Sequence, residues 1–147
     1  MFKIGVLVSG GGTNLQAIID RIEDGTLPNI QIATVISNVE NAYALTRAKN
    51  HNIDNIFIDA KKYESKEKFE LELIRYFESK GVELIVLAGF HTILTSTFIN
   101  AYKNKIINVH PALIPAFSGQ GYYGLKTHEA ALERGVKVVR SDSTFCY

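Results

Sequence analysis

The stretch Val82–Ala88, VELIVLA, is a near-continuous apolar run of strand length. Such a run suits a strand covered on both faces, because a half-wet strand alternates apolar and polar residues. It has companions at Lys3–Val8, Ile30–Ser37, Ile53–Ile58, Lys105–Val109 and Val136–Val139. Helical spacing fills the intervals. Asn14–Ile22 carries Leu15, Ile18, Ile19 and Ile22, and Ser65–Ser79 carries Phe69, Leu71, Leu73, Ile74 and Phe77 on or near one face. Tyr43–Lys49, Thr95–Tyr102 and Leu125–Arg134 read as further helices, the last stopped by Gly135, with a Pro- and Gly-rich loop over Pro111–Tyr123. Strands alternating with helices predict an α/β domain with a doubly wound, mostly parallel sheet. With no internal repeat, linker or low-complexity tract, residues 1–147 read as a single domain.

Composition narrows the function. Sixteen basic and fifteen acidic residues leave a formal charge of +1, which offers little attraction to nucleic acid or to a membrane surface. One cysteine excludes a disulfide framework and a cysteine-based zinc site, and suits a reducing compartment. No His/Asp/Glu cluster has metal-ligand spacing, so no metal is expected. The first apolar run enters a glycine turn without a cleavage motif and reads as a strand, not a signal peptide. No apolar stretch approaches the ~20 residues that span a bilayer. These features predict a soluble, cytoplasmic protein.

In doubly wound sheets, ligands sit beyond the carboxyl ends of the strands. Three segments there carry chemistry: SGGGTN, AGFHTIL and NVHPALIP. In the first, Gly10, Gly11 and Gly12 lead into a helix whose free N–H groups and positive dipole end suit a phosphate monoester, with Thr13 and Asn14 adding donors. The dinucleotide fingerprint fails because Leu15 stands where its third glycine belongs, and the P-loop Gly-Lys-Ser/Thr is absent. A plain βα turn capped by Thr13 or Asn14 remains the alternative. In the third segment Asn108 and His110 are two residues apart at a strand end, so both project to one side. An amide that holds an oxyanion beside an imidazole that moves a proton suits acyl transfer. The alternative is an Asn that closes a turn and a half-buried His. His51 and His128 read as surface residues.

Together and in this order, KIGVLVSGGGTNLQAIID, ELIVLAGFHTIL, INVHPALIP and GYYGLKTHEAALERGVKV resemble the folate-dependent glycinamide ribonucleotide formyltransferases of purine biosynthesis, over residues 1–138. The resemblance implies a Rossmann-like formyltransferase fold. It also implies transfer of a formyl group from 10-formyltetrahydrofolate, a cosubstrate, to the amine of glycinamide ribonucleotide, with no metal. Carried over residue by residue, Gly12, Thr13 and Asn14 hold the substrate phosphate. Asn108 and His110 are the catalytic amide and imidazole. Lys66, Phe90, His91, Thr92, Ile93, Leu94 and Asn108 contact folate. The family commonly reads Met-Arg, or a similar pair, where this chain has His91-Thr92. Sister enzymes with the same Asn/His pair, formyltetrahydrofolate hydrolase and methionyl-tRNA formyltransferase, fit the opening SGGGTNLQ less well. A non-catalytic phosphate-binding module is the alternative of another class.

The resemblance lapses at residues 139–147. After GVKV the family continues with a strand like Ser-Gly-Ala-Thr-Val-His-Phe-Val and an acidic loop whose aspartate supports the histidine. This chain reads Val139 and then RSDSTFCY. If Val139–Cys146 is encoded GTC AGG AGC GAC AGT ACA TTT TGT and Tyr147 begins TA, reading one base later restores the family strand. The expectation is therefore a frameshifted tail and a missing C-terminal part, to be checked by sequencing the coding DNA. Loss of the aspartate should lower transfer on the order of 10²–10⁴-fold. Loss of the strand should leave a sheet edge open to self-association.

Overall fold

The computed structural model describes residues 1–109 and 144–146. The described strands form one sheet in the order β3-β2-β1-β4-β5-β6, with β1 at Phe2–Val8, β2 at Ile30–Ser37, β3 at Asn55–Phe57, β4 at Leu84–Ala88, β5 at Ile106–Val109 and β6 at Thr144–Cys146. Strands β1 to β5 pair in parallel, and β6 runs antiparallel to β5. The helices are α1 (Thr13–Glu23), α2 (Tyr43–Asn50), α3 (Lys66–Ser79) and α4 (Ser96–Ala101), with a 3-10 turn at Ala60–Lys62. The chain winds outward from β1 through β2 to β3, then crosses back to β4 on the other side of β1. That reversal puts a crevice at the carboxyl ends of β1 and β4, where doubly wound sheets bind their ligands.

Strand alternation divides the core between the two faces. Ile4, Val6 and Val8 of β1 and Leu84, Val86 and Ala88 of β4 pack with Leu15, Ile18 and Ile19 of α1 and Ala44 and Ala48 of α2. Leu7, Ile85 and Leu87 face the other way, onto Phe69, Leu73, Ile74 and Phe77 of α3 and Phe98 of α4. Double coverage explains why β4 is buried along its whole length, as its apolar run requires.

Three sequence expectations change. Leu71, placed near the buried face of α3, is 55% exposed, and the buried position beside Phe69 goes to Glu70 at 0%. The buried set 69, 70, 73, 74, 77 keeps a helical period that leaves position 71 on the outside. The third strand shrinks from Ile53–Ile58 to Asn55–Phe57, the part that pairs with β2 along Val35–Ser37. The tail, read as a frameshifted end in place of the family strand, supplies β6: Cys146, Phe145 and Thr144 pair with Ile107, Asn108 and Val109. The β5 edge expected to lie open is thus paired over those residues. The predicted loop 111–123, helix 125–134 and strand 136–139 lie outside the described residues.

Candidate active site

The glycine turn is built from β1 outward. Gly12 is the N-cap of α1, with φ 80 and ψ 27, a left-handed conformation that glycine adopts without a Cβ clash. A Cβ there would also stand 2.6 Å from Ala44 Cβ and 2.7 Å from Ala44 Cα. Both constraints demand glycine at this position. Among the described residues no side chain caps the helix end, so the expected alternative of Thr13 or Asn14 as a cap does not hold. The intrahelical ladder begins with Gln16 N–H donating to the Gly12 carbonyl at 2.8 Å. That leaves the N–H groups of Thr13, Asn14 and Leu15 without an intrahelical acceptor, as in any first helical turn. Asn14 is 5% exposed, and its Oδ1 has no partner among the described residues.

Helix α2 holds the turn from behind. Ala44 N–H donates to the Gly10 carbonyl at 3.2 Å. Arg47 Nε–H donates to the Gly11 carbonyl at 2.7 Å and its Nη1 to Gln16 Oε1 at 3.2 Å, while its guanidinium lies 4.8 Å from the Tyr43 ring centre. With their carbonyls engaged by α2, Gly10 and Gly11 have a fixed peptide orientation.

Across the crevice, a cavity of about 240 Å³ is lined by Leu87, Phe90, His91, Thr92, Ile93, Leu94, Ile99 and Asn108. Five of the predicted folate residues and Asn108 therefore meet on one space. The volume is below the roughly 300–1,000 Å³ usual for a whole ligand. It suits one ring system, with apolar walls for its faces and the Asn108 amide and His91 imidazole for its polar edge. Asn108 reaches the cavity because β5 pairs in register with β4, Asn108 opposite Leu87.

The wall 90–94 is clamped at both ends. At its start, His91 N–H donates to Ser9 Oγ at 3.0 Å, and Asn38 Nδ2 donates to Thr92 Oγ1 at 2.8 Å. At its end, buried Glu70 accepts from Thr95 N–H (2.7 Å), Thr95 Oγ (2.5 Å) and Phe98 N–H (3.0 Å). The buried carboxyl group is tolerated there because backbone and hydroxyl donors replace its water.

Lys66 is exposed in the first turn of α3 and does not line the cavity. His110 and His128 lie outside the described residues. His51 is half-buried at the end of α2, with Nδ1 2.6 Å from Glu23 Oε2. Sequence reasoning missed Ser9, Asn38, Arg47 and Glu70. Asn38 had a signal, since it follows a strand as the three chosen motifs do. Glu70 had none, because its burial depends on where α4 begins. Among the described residues no helix is long and apolar enough to cross a membrane, and no three His, Cys, Asp or Glu side chains group as a metal site requires.

Comparison with known proteins sets this geometry in a family. The chain is 43% identical over 135 residues to phosphoribosylglycinamide formyltransferase of Haemophilus influenzae, covering 92% of this chain and 61% of that protein. It is 38% identical over 133 residues to the enzyme of the same name from Escherichia coli, covering 90% and 60%. Its fold matches the crystal structure of glycinamide ribonucleotide transformylase 1 from Symbiobacterium toebii with a TM-score of 0.74 at 35% identity, over 99% of this chain and 74% of that one. The chain thus spans about three-fifths of the length of these curated relatives. The family model for formyl transferases matches residues 2–140. With that model spanning nearly the whole sequence and a parallel sheet of the same fold beneath it, the chain belongs to the formyl transferase family.

Proposed function

We propose that this chain carries the formyl-transfer site for glycinamide ribonucleotide, with 10-formyltetrahydrofolate as donor. The observation that carries the reading is the meeting of Asn108 with Phe90–Leu94 on one cavity, beside a glycine turn whose helix end has no side-chain cap among the described residues. The names of the relatives support the same reaction.

The substrate phosphate sits on the N–H groups of Gly12, Thr13 and Asn14, where the dipole of α1 favours an anion. Asn14 Oδ1, which has no partner among the described residues, accepts from an amine or hydroxyl of the same substrate. The folate ring enters the 90–94 cavity, and the formyl group is presented at Asn108. The substrate amine attacks the formyl carbon, and the carbonyl electrons move onto oxygen. The Asn108 amide stabilises that oxyanion by donating to it. The oxyanion then collapses and the bond to the folate nitrogen breaks. His110 is assigned the proton that leaves the attacking amine and must reach that nitrogen.

The test is a formyl-transfer assay on this chain and on one continued past Val138 with the relatives' sequence, with binding of each ligand followed by calorimetry. Asn108→Ala and His110→Ala should each lower kcat on the order of 10²-fold or more. Transfer that survives both substitutions overturns the catalytic assignment. Binding of glycinamide ribonucleotide without folate favours a phosphate-binding module instead.

A further inference from the structure

Three strand ends that belong to different parts of the site meet at one side chain. Ser9 closes β1 and begins the glycine turn, Asn38 follows β2, and His91-Thr92 follow β4. Ser9 Oγ donates to Asn38 Oδ1 at 2.7 Å and accepts from His91 N–H at 3.0 Å. Asn38 Nδ2 donates to Thr92 Oγ1 at 2.8 Å. Since His91 and Thr92 are neighbours, the three bonds close a ring. Backbone bonds brace it, from Ser9 N–H to the Gly89 carbonyl (3.1 Å) and from Asn38 N–H to the Val8 carbonyl (3.4 Å). Ser9 is buried at 6% exposure, and Asn38 is half-buried. Asn38 itself lines neither the cavity nor the glycine turn.

We propose that Asn38 is a positioning residue that locks the phosphate-binding turn and the folate wall into one unit, so that both ligand subsites depend on it. An amide is the side chain this place requires, because it must accept from one hydroxyl and donate to another through a planar group. Without it, Ser9 Oγ–H loses its acceptor and can rotate away from His91 N–H, releasing the cavity wall and the first residue of the turn together. In a partly shielded ring the bonds reinforce one another, so one deletion loosens more than one contact. The ring also gives Thr92 a role at the pair where this chain departs from the family's common Met-Arg: its hydroxyl is the acceptor that completes the circuit.

The inference rests on the proposed function for its ligand readout, and hydrogen exchange gives a second readout that needs no ligand. Asn38→Ala should speed exchange of the His91 amide by about 3–10-fold while amides in the middle of α3 keep their wild-type rates. In calorimetry it should weaken glycinamide ribonucleotide and 10-formyltetrahydrofolate by similar factors, about 3–10-fold each. Thr92→Val, which removes only the wall-side bond, should weaken 10-formyltetrahydrofolate alone. Asn38→Asp should recover most of both affinities, since it keeps the acceptor for Ser9 and lets the Thr92 hydroxyl turn to donate. Exchange at His91 unchanged in Asn38→Ala, or accelerated equally throughout α3, overturns the proposal. So does loss of affinity for one ligand only in Asn38→Ala. If Asn38→Ala does not fold, Asn38→Leu, which keeps the side-chain volume and removes both bonds, takes its place in the same measurements and is judged by the same outcomes. A wild-type chain that binds neither ligand refutes the proposed function, while the exchange data still judge Asn38.

Discussion

Glu70 offers a sharp test of how the cavity wall is held. Its two oxygens serve three donors: Oε2 accepts from Thr95 N–H, and Oε1 from Thr95 Oγ and Phe98 N–H. The residue is 0% exposed, so no water stands ready to replace what is removed. In Glu70→Gln, the best orientation sets the amide oxygen on Thr95 N–H and turns the NH₂ toward Thr95 Oγ, which can accept. The NH₂ then confronts Phe98 N–H, leaving one orphaned backbone donor, a cost of about 1–3 kcal/mol. In Glu70→Ala both backbone donors lose their acceptor and a void is left, so about 3–5 kcal/mol is expected, a large share of the ~5–15 kcal/mol of a typical domain. Urea titration followed by far-UV circular dichroism measures both, with Thr95→Val as a control that removes the hydroxyl's bond to Glu70 and its N-cap bond from Thr97 N–H while leaving both backbone bonds to Glu70. The graded order Ala worse than Gln worse than wild type is the expected result. A Gln variant as stable as wild type, or an Ala variant within about 1 kcal/mol of it, would refute the reasoning by showing that the carboxylate does not hold the start of α4.

Two further outcomes follow from single positions. Gly12→Ala should cost about 2–4 kcal/mol, since it adds left-handed strain to a clash with Ala44; thermal melting checks this, and a melting point unchanged from wild type contradicts the backbone argument. Tyr102 has a buried hydroxyl with no partner among the described residues, and burial, with help from the negative charge of Glu78, pushes its pKa up to about 12. The unfolded chain ionises this phenol first, near its ordinary value of 10. Stability should therefore be intact below about pH 10 and fall by roughly 2 kcal/mol as pH rises toward 12. Tyr102→Phe should be neutral to stabilising near pH 7 and should lose less than wild type over that alkaline window, as paired denaturation curves would reveal.

Sequence alone determined the alternation of apolar runs and helical spacing, and with it the parallel sheet and the strand ends where ligands gather. Those features are local: a strand period of two and a helix period of 3.6 are written into neighbouring residues. The demand for glycine at the β1 turn was equally legible, although only the approach of Ala44 shows why Gly12 in particular cannot change. What tertiary structure decided is everything that depends on which strand lies beside which. The crossing from β3 back to β4 sets Ser9, Asn38 and His91 side by side, residues up to 82 positions apart in the chain. It buries Glu70 and exposes Leu71 against the hydrophobic ranking of the two, because the donors at the start of α4 meet position 70. Polar side chains far apart in sequence carry no shared period, and only the fold gives them common partners.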